Sequence, residues 1–455
     1  MRRSSPRMPK ACLALIVCAT ALGGLAQSDA APRPHLDIRV FARVPAPGQP
    51  EGLAVSPTTG LIWTSSYNNG KGDPAALARV FAFDETGLER VSYEIEGEDT
   101  STAQQGAGGV AFDGDGQMYV DDTHPARIVS LDPDTGHQRN YSDFRTVAQC
   151  PGDKPNGDCT LGGRELGPLP GAMVFLADGT MLVTDLQQAL IWKVPKGGGR
   201  PTVWFTDARL ASNFGLNKIV WSPDHKSLIL SDSLSATPGL ITPGAGAVLR
   251  LPITADGTPG EIEKLWESAP GEAPDGVAVA RSGNLYVSTS DGNQVVELSP
   301  TGTELGRAPS AQDNAQREVQ LDGPSTVVFL GRRLLVANQS FLAGNSANWA
   351  LLDVWVGEPG VELLYPHIRP APKATCARSR AVALRVGNRR GLTARVFVGA
   401  RHLRATLRHG VLRFRLPARS ARRVRIRILL RGPHGFERTL RRSVAACRHI
   451  TASGA

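Results

Sequence analysis

One pattern recurs six times along this 455-residue chain: a small or polar residue, a short alternating apolar strand, a turn of the D-G kind and a second strand. The copies are PEGLAVSPTTGLIWTSS from Pro50, AGGVAFDGDGQMYVDD from Ala107, PGAMVFLADGTMLVTD from Pro170, LNKIVWSPDHKSLILSD from Leu216, PDGVAVARSGNLYVSTS from Pro274 and PSTVVFLGRRLLVAN from Pro324. The anchor residues standing before each first strand are Glu51, Gly108, Gly171, Asn217, Asp275 and Ser325. Their mean spacing of about 55 residues suits a four-stranded blade with its loops. Third strands follow in ARIVSL from Ala126, ALIWKV from Ala189, AVLRLP from Ala247 and QVVELS from Gln294. The N-terminal segment DIRVFARV can lie beside LLDVWVG and close the ring, which removes exposed sheet edges. The expected fold is all-β: a six-bladed β-propeller over residues 35–368. An open solenoid or a pair of sandwiches competes with it, but the hairpin pattern runs through the whole body with no helical period between copies.

Charge divides the chain. Residues 371–455 carry 22 Lys and Arg against the single acid Glu437, and the first 30 residues carry a net +3, so the segment 31–370 is left with −15 of the chain's total of +9. An acidic body therefore precedes a basic tail, and Pro366, Pro370 and Pro372 mark a linker over 369–374. Within 375–450 the runs AVALRV, TARVFVGA, VLRFRL and RRVRIRILLR alternate apolar and polar residues, which suggests a small β-sandwich with arginine on its outer faces. That face suits an anionic cell-surface polymer, a docked acidic propeller or simple solvation. Without interleaved aromatic residues it does not suit specific nucleic-acid binding.

Arg2, Arg3, Arg7 and Lys10 precede the apolar run Ala11 to Ala26, the layout of a secretory signal peptide. The run is too short to span a bilayer, and Ser28 and Ala30 place cleavage after Ala30, with Ala26 the alternative. The expected product is secreted, with no membrane-spanning segment after cleavage. In an oxidising compartment Cys150 and Cys159 form one expected disulfide, Cys376 and Cys447 the other.

A hairpin puts the start of its first strand and the end of its second on one rim, so the anchors should converge with Asp121, Asp122, Asp185, Asp232 and Asn338 around one mouth. Oxygen donors with almost no histidine or thiol form a set for Ca²⁺ or another hard divalent cation, Mn²⁺ or Zn²⁺ being the others considered. Glu51, Asn217 and Asp275 stand out as ligands. The same residues also fit as turn residues accepting backbone N–H groups. Neither H-E-x-x-H nor G-x-S-x-G occurs, which excludes the zinc-protease and serine-hydrolase patterns.

PEGLAV, LNKIVWSPD with LSDS, and PDGVAV together resemble the gluconolactonase, senescence-marker (regucalcin) and LRE-like family of six-bladed propellers, over about residues 50–362. The resemblance implies one metal in the central channel held by Glu51, Asn217 and Asp275, with Asp275 doubling as acid/base. It implies hydrolysis of a lactone or ester by metal-activated water. Two departures stand against it: Gly171 replaces a substrate-binding Asn, and Lys218 replaces the Gly after the metal-binding Asn. A non-catalytic ligand-binding or scaffold propeller with a structural metal, tethered by the basic tail, is the alternative. Other chemistry on the same architecture, condensing or sugar-oxidising, is a third class.

Overall fold

The computed structural model describes residues 33–368, apart from 69–72, 74, 103–104, 156, 163–165, 213 and 236–238, and residues 380–445, apart from 387–390, 399–400, 417–422 and 434–436. The expected signal peptide, the linker, Cys376 and Cys447 lie outside the described residues.

Alternation of apolar and polar residues makes strands, and turns punctuate them at the intervals the repeat sets. Blade 1 comprises Pro50–Val55, Ile62–Asn68, Arg79–Phe83 and Glu89–Glu94. Blade 2 comprises Gln105–Phe112, Met118–Thr123, Ala126–Leu131 and Gln138–Asp143, and a short pairing at Tyr67–Gly106 joins it to blade 1. Blade 3 runs through Pro170–Phe175, Met181–Asp185, Leu190–Val194 and Thr202–Thr206, and blade 4 through Phe214–Trp221, Ser227–Leu234, Ala247–Pro252 and Glu263–Glu267. Blade 5 holds Pro274–Val279, Leu285–Thr289, Gln294–Leu298 and Glu304–Ala308. Blade 6 takes Pro324–Leu330, Arg333–Asn338 and Ala350–Trp355 from late in the chain and its outer strand, Asp37–Arg43, from the start. That outer strand pairs antiparallel with Ala350–Trp355, Ile38 opposite Val354, so the ring closes as the sequence suggested.

The core lies between blades. Trp192 of blade 3 is fully buried and packs against Phe144 after blade 2 and Tyr119 within it, while Trp63 of blade 1 packs with Met118 and Val120 of blade 2. Truncating such a ring to alanine costs about 3–5 kcal/mol, because the neighbours cannot close the void. Cys150 and Cys159 form a disulfide in the loop between blades 2 and 3. No helix among the described residues is long and apolar enough to cross a membrane.

Residues 380–445 form two antiparallel sheets. One has Arg380–Arg385, Val411–Leu416 and Ala405–Arg408 side by side; the other has Arg401–Leu403, Thr393–Val398, Arg423–Arg431 and Glu437–Ala445. Val396, Ile428 and Leu430 of the second sheet share one core with Leu412, Phe414 and Leu416 of the first. The intervening residues point outward, among them the exposed Arg395, Arg408, Arg413, Arg427 and Arg441.

Candidate active site

Five of the six anchors line one cavity, and in blades 1, 3, 4 and 5 a hydroxyl of the second strand bridges to the next blade. In blade 1 the Ser65 hydroxyl accepts the Gly52 N–H at 2.8 Å and donates to the carbonyl of Gly108 in blade 2 at 2.5 Å. Thr184 of blade 3 accepts from Ala172 N at 3.0 Å and donates to the carbonyl of Asn217 in blade 4 at 2.6 Å. Ser231 of blade 4 accepts from Lys218 N at 3.0 Å and donates to the carbonyl of Asp275; Ser288 of blade 5 accepts from Gly276 N at 2.8 Å and donates to that of Ser325. Blade 6 has Ala337 at the matching position, and the Ser325 hydroxyl itself reaches the Glu51 carbonyl of blade 1 at 3.0 Å. Hydroxyl bridges thus link blade to blade and fix the backbones of Glu51, Asn217 and Asp275. The close approach also accounts for the glycines of P-E-G and P-D-G: a Cβ on Gly52 would lie 2.1 Å from the Gly108 carbonyl oxygen, and one on Gly276 2.3 Å from that of Ser325.

Glu51 of blade 1, Asn217 of blade 4 and Asp275 of blade 5 converge on one cavity of about 430 Å³. Its walls are largely apolar, with Tyr67, Leu186, Phe214, Phe341 and Leu342 around the acids, and Asp291 is the remaining carboxylate. The Tyr67 and Phe341 rings stand 6.4 Å apart. Tyr67 keeps its phenol proton, since burial first and then the Glu51 and Asp121 charges raise its pKa.

Between the acids stands Lys218. Its Nζ lies 2.6 Å from Glu51 Oε1 and 3.5 Å from Asp275 Oδ1, and the three side chains are nearly buried. Burial alone would lower the ammonium pKa, but Glu51 and Asp275 more than offset it and hold it above the ordinary lysine value. For Asp275 burial dominates: it pushes the carboxyl up to about 7, with Lys218 opposing and Glu51 adding to the rise. The 3.5 Å separation is an ion-pair distance, and Asp275 Oδ1 makes no hydrogen bond.

No protein-family model and no curated protein matches this chain. Among solved structures it is similar to a gluconolactonase from Xanthomonas campestris, at 18% identity over 70% of this chain and 88% of that one, with a TM-score of 0.43. It is also similar to the calcium-binding protein regucalcin from Agrobacterium tumefaciens (15% identity, 74% and 98% covered, TM-score 0.49) and to virginiamycin B lyase from Staphylococcus aureus (14%, 70% and 99%, 0.45). Its architecture resembles the gluconolactonase- and regucalcin-like propellers. At these identities the similarity is one of fold and carries nothing about chemistry.

The cation that the sequence resemblance implies does not fit the residues present. Glu51, Asn217 and Asp275 do come together, but an ammonium already stands between the two carboxylates and would repel a divalent ion. Asn217 donates through Nδ2 to Ser233 at 3.2 Å.

The other acids expected around the mouth are turned into the blades. Asp121 takes the place of the bridging hydroxyl in blade 2 and accepts the N–H groups of Gly108 at 2.6 Å and Gly109 at 2.8 Å. Asp122 pairs with Arg127, and Asp185 accepts from Trp192 Nε1 at 2.9 Å and Gln188 Nε2 at 2.8 Å. Asn338 Nδ2 donates to the carbonyls of Gln320 and Asn348. Asp232 is fully buried without a partner for either oxygen, and burial pushes it up to about 7. All five sit at strand ends, four of them with partners inside the blades and Asp232 with none among the described residues, and none lines the cavity. The missing Asn at Gly171 has a steric counterpart, since a Cβ there would fall 2.3 Å from Leu186 Cδ1. Sequence reasoning missed Phe341 and Leu342; their only signal was the unusual loop NQSFLAGNSANW after the last hairpin.

Proposed function

We propose that the protein is a secreted hydrolase of a lactone or ester in which Asp275 is the acid/base and Lys218 supplies the fixed positive charge beside it. The carrying observation is Asp275 itself: a carboxyl at the edge of an apolar cavity, pushed up to about 7, within ion-pair distance of a buried ammonium. A group that titrates near neutrality can both take and return a proton. Ionised Asp275 takes the proton of a water as its oxygen adds to the substrate carbonyl carbon. The ring or ester C–O bond then breaks, and the same proton passes to the departing alkoxide oxygen, leaving a hydroxy acid or an acid and an alcohol. Lys218, fixed by Glu51, favours the ionised form of Asp275. The cavity volume lies in the range of small-molecule sites, and its apolar walls suit an aliphatic or aromatic lactone better than a polyhydroxylated sugar.

A second reading rests on the same contact. Lys218 already bridges Glu51 and Asp275 and offsets one of their two charges, which suits a ligand-binding propeller whose channel is pinned by an internal ion pair. Acid release from a panel of lactones and esters in chelator, compared between wild type and Asp275→Asn, separates the two. Turnover in the wild type that falls by a factor of about 10² or more in the variant supports the hydrolase. No turnover with any substrate leaves the binding propeller.

Secretion draws support from the Cys150–Cys159 disulfide, which belongs in an oxidising compartment. The basic domain is the proposed tether to an anionic cell-surface polymer. Arg427 stacks over Phe397 at 4.8 Å and lies opposite Arg441 across the strand pair, and Arg395, Arg408 and Arg413 have no acidic partner among the described residues.

A further inference from the structure

We infer that Lys218 is a built-in cation pre-empting a divalent-cation site made of Glu51, Asn217 and Asp275, so that the wild-type channel is independent of metal and loss of this one side chain would create a metal site. The inference concerns charge and space, and it stands whether or not the cavity turns over a lactone.

Most acids at the blade ends have work that explains their position, as Asp121 and Asp185 accept N–H groups and Asp122 pairs with an arginine. Glu51 and Asp275 have none: no backbone N–H reaches either carboxylate, and Lys218 is the sole partner of each among the described residues. Two buried carboxylates brought to the same point from blades 1 and 5 need a counter-charge, because their mutual repulsion and lost hydration are both unfavourable. The counter-charge is foreign to the repeat. Its backbone position is filled by Gly52 in blade 1, Gly109 in blade 2 and Gly276 in blade 5, and only in blade 4 does a long side chain enter the channel there. Without it, the two carboxyl groups and the side-chain amide of Asn217 would surround an empty space with no counter-charge. Carboxylate and amide oxygens completed by water are the donors that Ca²⁺ and Mn²⁺ prefer.

The test compares melting temperatures of the full chain in chelator and in excess Ca²⁺ or Mn²⁺. The wild type should give the same value in both. Lys218→Gly should melt lower in chelator and recover several degrees with the cation, since a ligand that binds only the folded state at about a hundred times its dissociation constant stabilises by mass action. Adding Glu51→Gln to Lys218→Gly should remove that recovery. Lys218→Ser is the second variant, with a smaller cavity and the same expectation. A wild type whose melting temperature rises with the cation, and no longer does so in Glu51→Gln, would overturn the inference. So would folded glycine and serine variants that gain nothing from Ca²⁺ or Mn²⁺, or the failure of both to fold even with the cation present, because the ion is meant to restore the lost charge.

Discussion

Replacing Asp232 with asparagine removes a buried charge and leaves the shape almost unchanged. Both carboxylate oxygens are inaccessible and without a partner in hydrogen-bonding geometry, and the Leu234 amide opposes the effect of burial only in part. The carboxyl is held at about 7 in the fold against 3.8 when free. A carboxyl with a raised folded pKa binds its proton more tightly in the native state, so stability is greatest below the free value and falls as pH rises through the window up to the folded one. At about 1.4 kcal/mol per pH unit, the part lost between pH 5 and pH 8 is about 3 kcal/mol. Asparagine does not titrate. The difference in unfolding free energy between Asp232→Asn and wild type should therefore shift by about 3 kcal/mol in favour of the variant from pH 5 to pH 8. Urea denaturation at the two pH values measures it, and taking the difference cancels contributions from Asp275 and every other common group. The buried amide keeps a desolvation cost of about 1–3 kcal/mol at both pH values, which moves the offset and leaves the shift alone. A difference that stays constant with pH would refute the reasoning, because Asp232 would then be as readily ionised in the fold as in the unfolded chain.

Ser231→Ala should destabilise by about 1–3 kcal/mol in the same assay, because the Lys218 N–H and the Asp275 carbonyl lose a shared partner at a buried point between blades 4 and 5. Full-length protein should bind immobilised heparin, a stand-in for an anionic surface polymer, at low salt and release it as salt rises; Arg427→Glu with Arg441→Glu should weaken retention, and unchanged elution would remove the tether.

Six anchors, their hairpins and the closing strand could be read directly because they depend on a period of two and on turn chemistry, both local properties of the chain. The meeting of Glu51, Asn217 and Asp275 was readable for the same reason: equivalent positions of a closed repeat share one rim. What Lys218 does there was not. Its presence registered as a departure from glycine, but whether the ammonium would reach the two carboxylates or leave the channel depends on the ring's diameter and on the space between blades. The hydroxyl bridges were equally hidden, since Ser65, Thr184, Ser231 and Ser288 look like ordinary small strand residues until the next blade's carbonyl is beside them. Asp121, Asp122 and Asp185 matched the ligand pattern in composition and differ only in having backbone or side-chain donors within reach.

The pH dependence of kcat/KM in chelator, measured for a lactone or ester that the wild type hydrolyses, tests the central claim most directly. With Asp275 as the base, the rate should rise through an ionisation near 7 without added metal, and Lys218→Met should move that ionisation upward, since removing the ammonium leaves the carboxyl beside Glu51 alone. A rate that needs a divalent cation, or an ionisation that does not move in Lys218→Met, would contradict it.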